Sequence, residues 1–140
     1  MGKVSVTATI DCSAETLWNV IRNFGSIKDW VSGIASLTLT GQGVGAERHI
    51  VQTDGRTVQE RLEALDDENK TLRYAIVATT LPLVEYESSM SVRSLTPNKC
   101  EVHWFCTFRP RGAEEQVTSM LETAYRTNLE KLAAVCHRMS

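Results

Sequence analysis

Two charged side chains fall on the apolar side of alternating patterns. In residues 46–53 (AERHIVQT), Arg48 shares a strand face with Ile50, while Glu47 and His49 point the other way. In residues 56–65 (RTVQERLEAL), Glu60 shares a face with Val58 and Leu62, opposite Gln59, Arg61 and Glu63. Between them lies Thr53-Asp54-Gly55-Arg56, a strong hairpin signal. A register that sets Ile50 opposite Glu60 leaves Arg48 as a diagonal neighbour within reach. A charge on an apolar face is costly unless paired, so the two are expected to meet. Three roles are open to the pair: a structural ion pair at a cavity edge, a polar anchor for a ligand headgroup, or general acid/base chemistry. A carboxylate beside a guanidinium stays ionised, which suits a base better than an acid.

The same alternation collects aromatic groups. Residues 70–79 turn Leu72, Tyr74 and Ile76 inward, residues 84–95 turn Tyr86, Ser88, Met90 and Val92 inward, and residues 99–109 turn Cys100, Val102, Trp104, Cys106 and Phe108 inward. Tyr125 and Leu129 lie on the apolar stripe of a long helix. Trp30 stands next to a glycine-bounded break and suits a gate. Three phenols give apolar walls with polar tips, which either hold an oxygenated small molecule or fill core with their hydroxyls bonded to one another. Trp104 suits core, and Trp18 suits packing. His49 and His103 fall on outward faces. The expected ligand contacts are Trp30, Arg48, Glu60, Tyr74, Tyr86, Met90, Trp104, Tyr125 and Leu129, with Arg48 and Glu60 as the catalytic candidates and no metal ligands.

The elements that must position these groups follow from period and punctuation. Residues 4–10 alternate as a strand. Asp11 or Ser13 caps a helix whose face carries Leu17, Val20, Ile21 and Phe24. Gly25 ends it, Ser26 caps a second short helix with Ile27, Trp30 and Val31, and Gly33 closes that one. Six further strands are expected at 34–40, 46–53, 56–65, 70–79, 84–95 and 99–109, separated by turn chemistry. From 113 to 137 the period is helical again, through Val117, Met120, Leu121, Ala124, Tyr125, Leu129 and Leu132. A strongly curved sheet of seven antiparallel strands can be covered by one long helix, and Phe24, Ile27 and Trp30 can plug its end.

The 140 residues fit one domain, with 42% apolar and 23% charged residues, the balance of a globular protein. Net charge is −2 without a basic stripe, which argues against nucleic acid. No segment reaches the length of a membrane span. The first residues lack a signal-peptide pattern and read as a mature start. The cysteines at 12, 100, 106 and 136 make neither a zinc spacing nor an evident disulfide framework, and suit a reducing cytoplasm.

The chain resembles the START-related helix-grip superfamily, in its bacterial polyketide cyclase/dehydrase and lipid-transport type. The resemblance is carried by IDCSAETLWNVIRNFGSIKDW, GQGVGAERH, DGRTVQERLEALDDENKTLRYAI, LPLVEYESSMSV and CEVHWFCTF, in that order, before the last helix. It implies an α+β fold in which a seven-stranded curved antiparallel sheet wraps a long C-terminal helix, with two short helices after the first strand. It also implies a cofactor-free cavity for a small hydrophobic or aromatic molecule, lipid- or polyketide-like, in a monomer or homodimer. The alternative is a cofactor-independent cyclase, dehydratase or isomerase using Arg48 and Glu60. Within the superfamily, the enzyme that makes the onion lachrymatory factor is implied to use an arginine and a glutamate in its cavity.

Overall fold

Alternating apolar and polar side chains make strand the commonest element of this chain. The computed structural model describes residues 1–139, with β1 (Gly2–Ile10), β2 (Ile34–Thr40), β3 (Glu47–Gln52), β4 (Thr57–Asp66), β5 (Thr71–Thr79), β6 (Leu83–Thr96) and β7 (Lys99–Pro110). They form one antiparallel sheet in the order β1-β7-β6-β5-β4-β3-β2. The β6–β7 hairpin is its spine, and β1 returns to pair with β7. Register shifts bend the sheet between Val84 and Glu87 on β6, and between Gln59 and Glu60 and between Leu62 and Ala64 on β4. Such bulges increase local twist and re-aim side chains.

The concave face holds Leu72, Tyr74, Tyr86, Met90, Val102, Trp104 and Phe108, all buried. Over it lies α2 (Glu114–Met139), about 39 Å long at 1.5 Å per residue. Its buried stripe runs through Val117, Leu121, Tyr125, Leu129, Leu132 and Cys136. Glu114 and Glu115 in its first turn complement the helix dipole. This is the α+β helix-grip arrangement.

Between β1 and β2 the chain forms α1 (Ala14–Ile21), where Ser13 caps the backbone N–H of Thr16 at 3.1 Å. The second short helix is a single 3₁₀ turn, Ser26–Asp29. Ser26 does not cap it. Its hydroxyl donates to the Val20 carbonyl (2.7 Å) and accepts from the Trp30 indole (3.3 Å), tying the break to α1. Trp18 is buried and donates to Asp67 Oδ1 at 2.8 Å, while Arg22 grips the same carboxylate at 2.7 and 3.1 Å. The β4–β5 turn thereby holds α1 against the sheet.

The reading of four reduced cysteines is overturned for one pair. Cys12, before α1, is disulfide-bonded to Cys136 in the last turns of α2, across a separation of 124 residues, while Cys100 and Cys106 are free and buried. Chain spacing hides this pair because the two meet only when α2 is laid over the β1–α1 junction. The ground for a reducing cytoplasm goes with it. No described helix is long and apolar enough to cross a membrane.

Candidate functional site

A curved sheet and one straight helix do not fill the space between them. A cavity of about 240 Å³ remains under the N-terminal half of α2. Its outer part is apolar: Val31, Ile34, Leu81, Met120 and Ala124. These residues are partly buried or exposed, so the cavity opens between the β3–β4 hairpin, the β5–β6 connection and α2. Arg56 sits at this mouth, beside Asp54 and Met120.

The inner part is polar and built from two constellations. In the first, Arg48 and Glu60 stand directly opposite each other on β3 and β4. The expected pairing of Ile50 with Glu60 is wrong, since Ile50 faces Val58. The hairpin closes on the three-residue loop Thr53-Asp54-Gly55, with Gly55 at φ 89°, which sets the pairing two residues away from the expected one. Arg48 Nε donates to Glu60 Oε1 at 2.6 Å, and Nη1 donates to the Phe24 carbonyl at 2.9 Å. The guanidinium carbon lies 3.8 Å from the Phe24 ring centroid and 4.9 Å from that of Tyr74. Both residues are over nine-tenths buried. The ion pair uses one N–H···O contact. Arg48 Nη2 and Glu60 Oε2 have no hydrogen-bond partner among the described residues, neither is sealed off, and both residues line the cavity.

The second constellation is a hydroxyl chain. Tyr86 and Tyr125 are hydrogen-bonded, and Tyr125 Oη lies 3.1 Å from Ser88 Oγ. Ser88 donates to the Phe105 carbonyl at 3.1 Å and accepts from Trp104 Nε1 at 2.9 Å. Proton directions follow. The single Ser88 hydrogen is used on Phe105, so Tyr125 donates to Ser88 and Tyr86 donates to Tyr125. Tyr74 Oη is 3.5 Å from Tyr86 Oη, a long contact, which leaves the Tyr74 hydrogen available to a ligand. Burial pushes all three phenols upward, Tyr86 and Tyr125 well above 10.0, so they remain neutral. Trp104 stacks on Tyr125, with centroids 3.9 Å apart and planes at 8°, and Trp30 meets Trp104 edge-on at 5.6 Å.

The structure therefore brings Trp30, Arg48, Glu60, Tyr74, Tyr86, Met90, Trp104 and Tyr125 around one cavity. Leu129 is buried but does not line it, because the apolar stripe of α2 continues past the cavity toward α1 and β1. Four polar participants were not read from the sequence as site residues: Ser88, Asn128, Gln52 and Arg56. Asn128 accepts from the Ser32 backbone N–H at 3.0 Å and fastens α2 to the loop before β2. Its signal was a polar residue at a stripe position, three after Tyr125.

The profile of the polyketide cyclase/dehydrase and lipid transport family matches residues 1–137. The abscisic acid receptor PYL2 of Arabidopsis thaliana is 29% identical over 139 residues, covering 91% of this chain and 73% of the receptor. The structure of the protein XoxI from Bacillus cereus superposes with a TM-score of 0.89 at 29% identity, covering 99% of this chain and 98% of that one. The Zhui aromatase/cyclase from a Streptomyces species superposes with a TM-score of 0.79 at 17% identity, covering 97% and 93%, a likeness of fold.

Proposed function

Since this chain belongs to the polyketide cyclase/dehydrase and lipid transport family, we propose that it binds a small, oxygenated aromatic or hydrophobic molecule beneath α2. The observation that carries this reading is the cavity itself, with mostly apolar walls and an ion pair and tyrosine hydroxyls among its lining residues. A dry cavity of roughly 150 Å³ holds benzene, so this one suits a ligand of about ten non-hydrogen atoms. The Trp104–Tyr125 stack offers a flat wall, and Tyr74, Arg48 and Glu60 offer hydrogen bonds. Relatives point the same way: one is an abscisic acid receptor, another an aromatase/cyclase.

The test is a titration with 2-naphthol, read by quenching of tryptophan fluorescence, on the protein and on Ala124→Trp. Position 124 lies at the mouth and is exposed, so the larger side chain blocks access with a stability change of about 0.5 kcal/mol or less. Saturable quenching that the variant abolishes supports the reading. Equal quenching in both, or none, contradicts it.

One observation favours a second reading, a cofactor-independent cyclase, dehydratase or isomerase. Glu60 Oε2 and Arg48 Nη2, without a partner among the described residues, belong to cavity-lining side chains and set a base beside an oxyanion donor. In it, Glu60 takes a proton from carbon next to a carbonyl, and Arg48 and Tyr74 hold the enolate oxygen. Exchange of the α-protons of 1-indanone into heavy water, catalysed by the protein and lost in Glu60→Gln, supports it. Exchange at the buffer rate contradicts it.

A further inference from the structure

We infer that the cavity selects uncharged ligands carrying an acceptor next to an N–H or O–H donor, of the carboxamide or enolised carbonyl kind, and rejects carboxylates. This rests on the binding reading above and names the ligand class for that site.

The charge balance comes first. Arg48 is the cation at depth, and Glu60 neutralises it at 2.6 Å. The remaining positive charge in the lining, Arg56, is at the exposed mouth beside Asp54. The inner cavity thus has no net charge to offer an anion. A carboxylate pushed inward would leave water without gaining an unshared cation.

The hydrogen inventory comes second. The ion pair leaves Arg48 Nη2–H as donor and Glu60 Oε2 as acceptor without a partner among the described residues. The Tyr86 and Tyr125 hydrogens are committed to the chain that ends on the Phe105 carbonyl, while the Tyr74 hydrogen is held only by a 3.5 Å contact. At the ion-pair end of the cavity a ligand therefore meets two donors and one carboxylate acceptor. A carboxamide satisfies all three, its oxygen receiving from Arg48 and Tyr74 and its N–H donating to Glu60. A carboxylate of the same shape sets O⁻ against Glu60 Oε2, and like charges at hydrogen-bond distance repel.

Cinnamamide and cinnamate have the same heavy-atom count and shape, and differ in this one group. Their dissociation constants are measured by calorimetry on the protein, on Glu60→Gln and on the double variant Arg48→Gln/Glu60→Gln, with folding checked by near-ultraviolet circular dichroism. The expected result is cinnamamide about a hundredfold or more tighter than cinnamate in the unmodified protein. In Glu60→Gln, cinnamate gains about tenfold or more as Arg48 loses its partner. In the double variant that gain disappears. Equal affinities in the unmodified protein, or a preference for cinnamate, overturn the inference while leaving cavity binding in place. Binding of neither probe, together with no 2-naphthol binding, refutes the cavity reading itself. Binding of 2-naphthol but of neither probe overturns the carboxamide assignment alone. The unmodified protein decides the point even if a variant fails to fold.

Discussion

Arg48 and Glu60 meet across two adjacent strands at 2.6 Å, with Phe24 stacked on the guanidinium at 3.8 Å. The chain places its one buried ion pair among the described residues against the cavity rather than in sealed core. Unbroken alternation with Val58 and Leu62 turns the Glu60 carboxylate inward, and the Phe24 carbonyl fixes the arginine from the broken helix. The interruption between α1 and the 3₁₀ turn thus delivers a carbonyl, a ring and Trp30 to one end of the sheet.

Removing one partner strands a buried charge. Glu60→Ala is expected to cost about 3–5 kcal/mol, measured by urea unfolding. The paired replacement Arg48→Met/Glu60→Leu should cost far less, or nothing. A double variant as unstable as the single one would show that the pair contributes more than charge balance.

All three tyrosines of the chain belong to the hydroxyl cluster. Their ionisation is pushed above 10.0 chiefly by burial; the neighbouring phenols add to this at Tyr86, while at Tyr74 Arg48 and the hydrogen bonds to Ser88 and Tyr86 act against it. The sign follows: the folded state holds these protons where the unfolded chain releases them, so stability falls as pH rises past 10.0. Phenolate absorbance should therefore stay absent above pH 10.0 and appear together with unfolding. A smooth phenolate titration with retained circular dichroism would contradict the network.

Asp67 behaves in the opposite sense. Arg22, and then the Trp18 indole, hydrogen-bond its carboxylate and hold its ionisation below 3.8. Stability from this clamp is present above the ordinary carboxylate range and is lost as pH falls through the lower folded value. Asp67→Asn should flatten the acid limb of a pH–stability curve and leave neutral 2-naphthol binding intact. An unchanged acid limb would rule the clamp out.

The Cys12–Cys136 bond closes nearly the whole chain. Cys136→Ser is expected to lower stability by about 2–5 kcal/mol. In the intact folded protein, thiol alkylation should reach neither Cys100 nor Cys106, and after unfolding it should label two thiols. Labelling of four after unfolding without reductant would show that the bond does not form.

Much of this was readable from side-chain period. The inward sets on β5, β6 and β7 follow from alternation, which is fixed wherever one sheet face is buried. The stripe of α2 follows from its 3.6-residue repeat. The pairing of Arg48 with Glu60 was legible as a need for charge compensation, but its register was not: the loop Thr53-Asp54-Gly55 sets the pairing two residues away from the expected one, and alternation alone cannot tell registers two residues apart. The disulfide was hidden because chain spacing carries no information about 124-residue closure. Ser88 and Asn128 were passed over because a lone polar residue in an apolar stripe gives no sign of whether it faces a helix, a loop or a cavity. Leu129 was over-read for the reverse reason: the apolar stripe is longer than the cavity it covers.

The chain has three tryptophans, and they form a built-in control. Trp30 and Trp104 line the cavity, and Trp18 is bonded to Asp67 outside it. The most direct test is a 2-naphthol titration followed by the three indole N–H resonances in a nitrogen-correlated spectrum. The account predicts saturable shifts of Trp30 and Trp104, with Trp18 unmoved. Equal movement of all three, or movement of Trp18 alone, would mean that the ligand does not enter the cavity beneath α2.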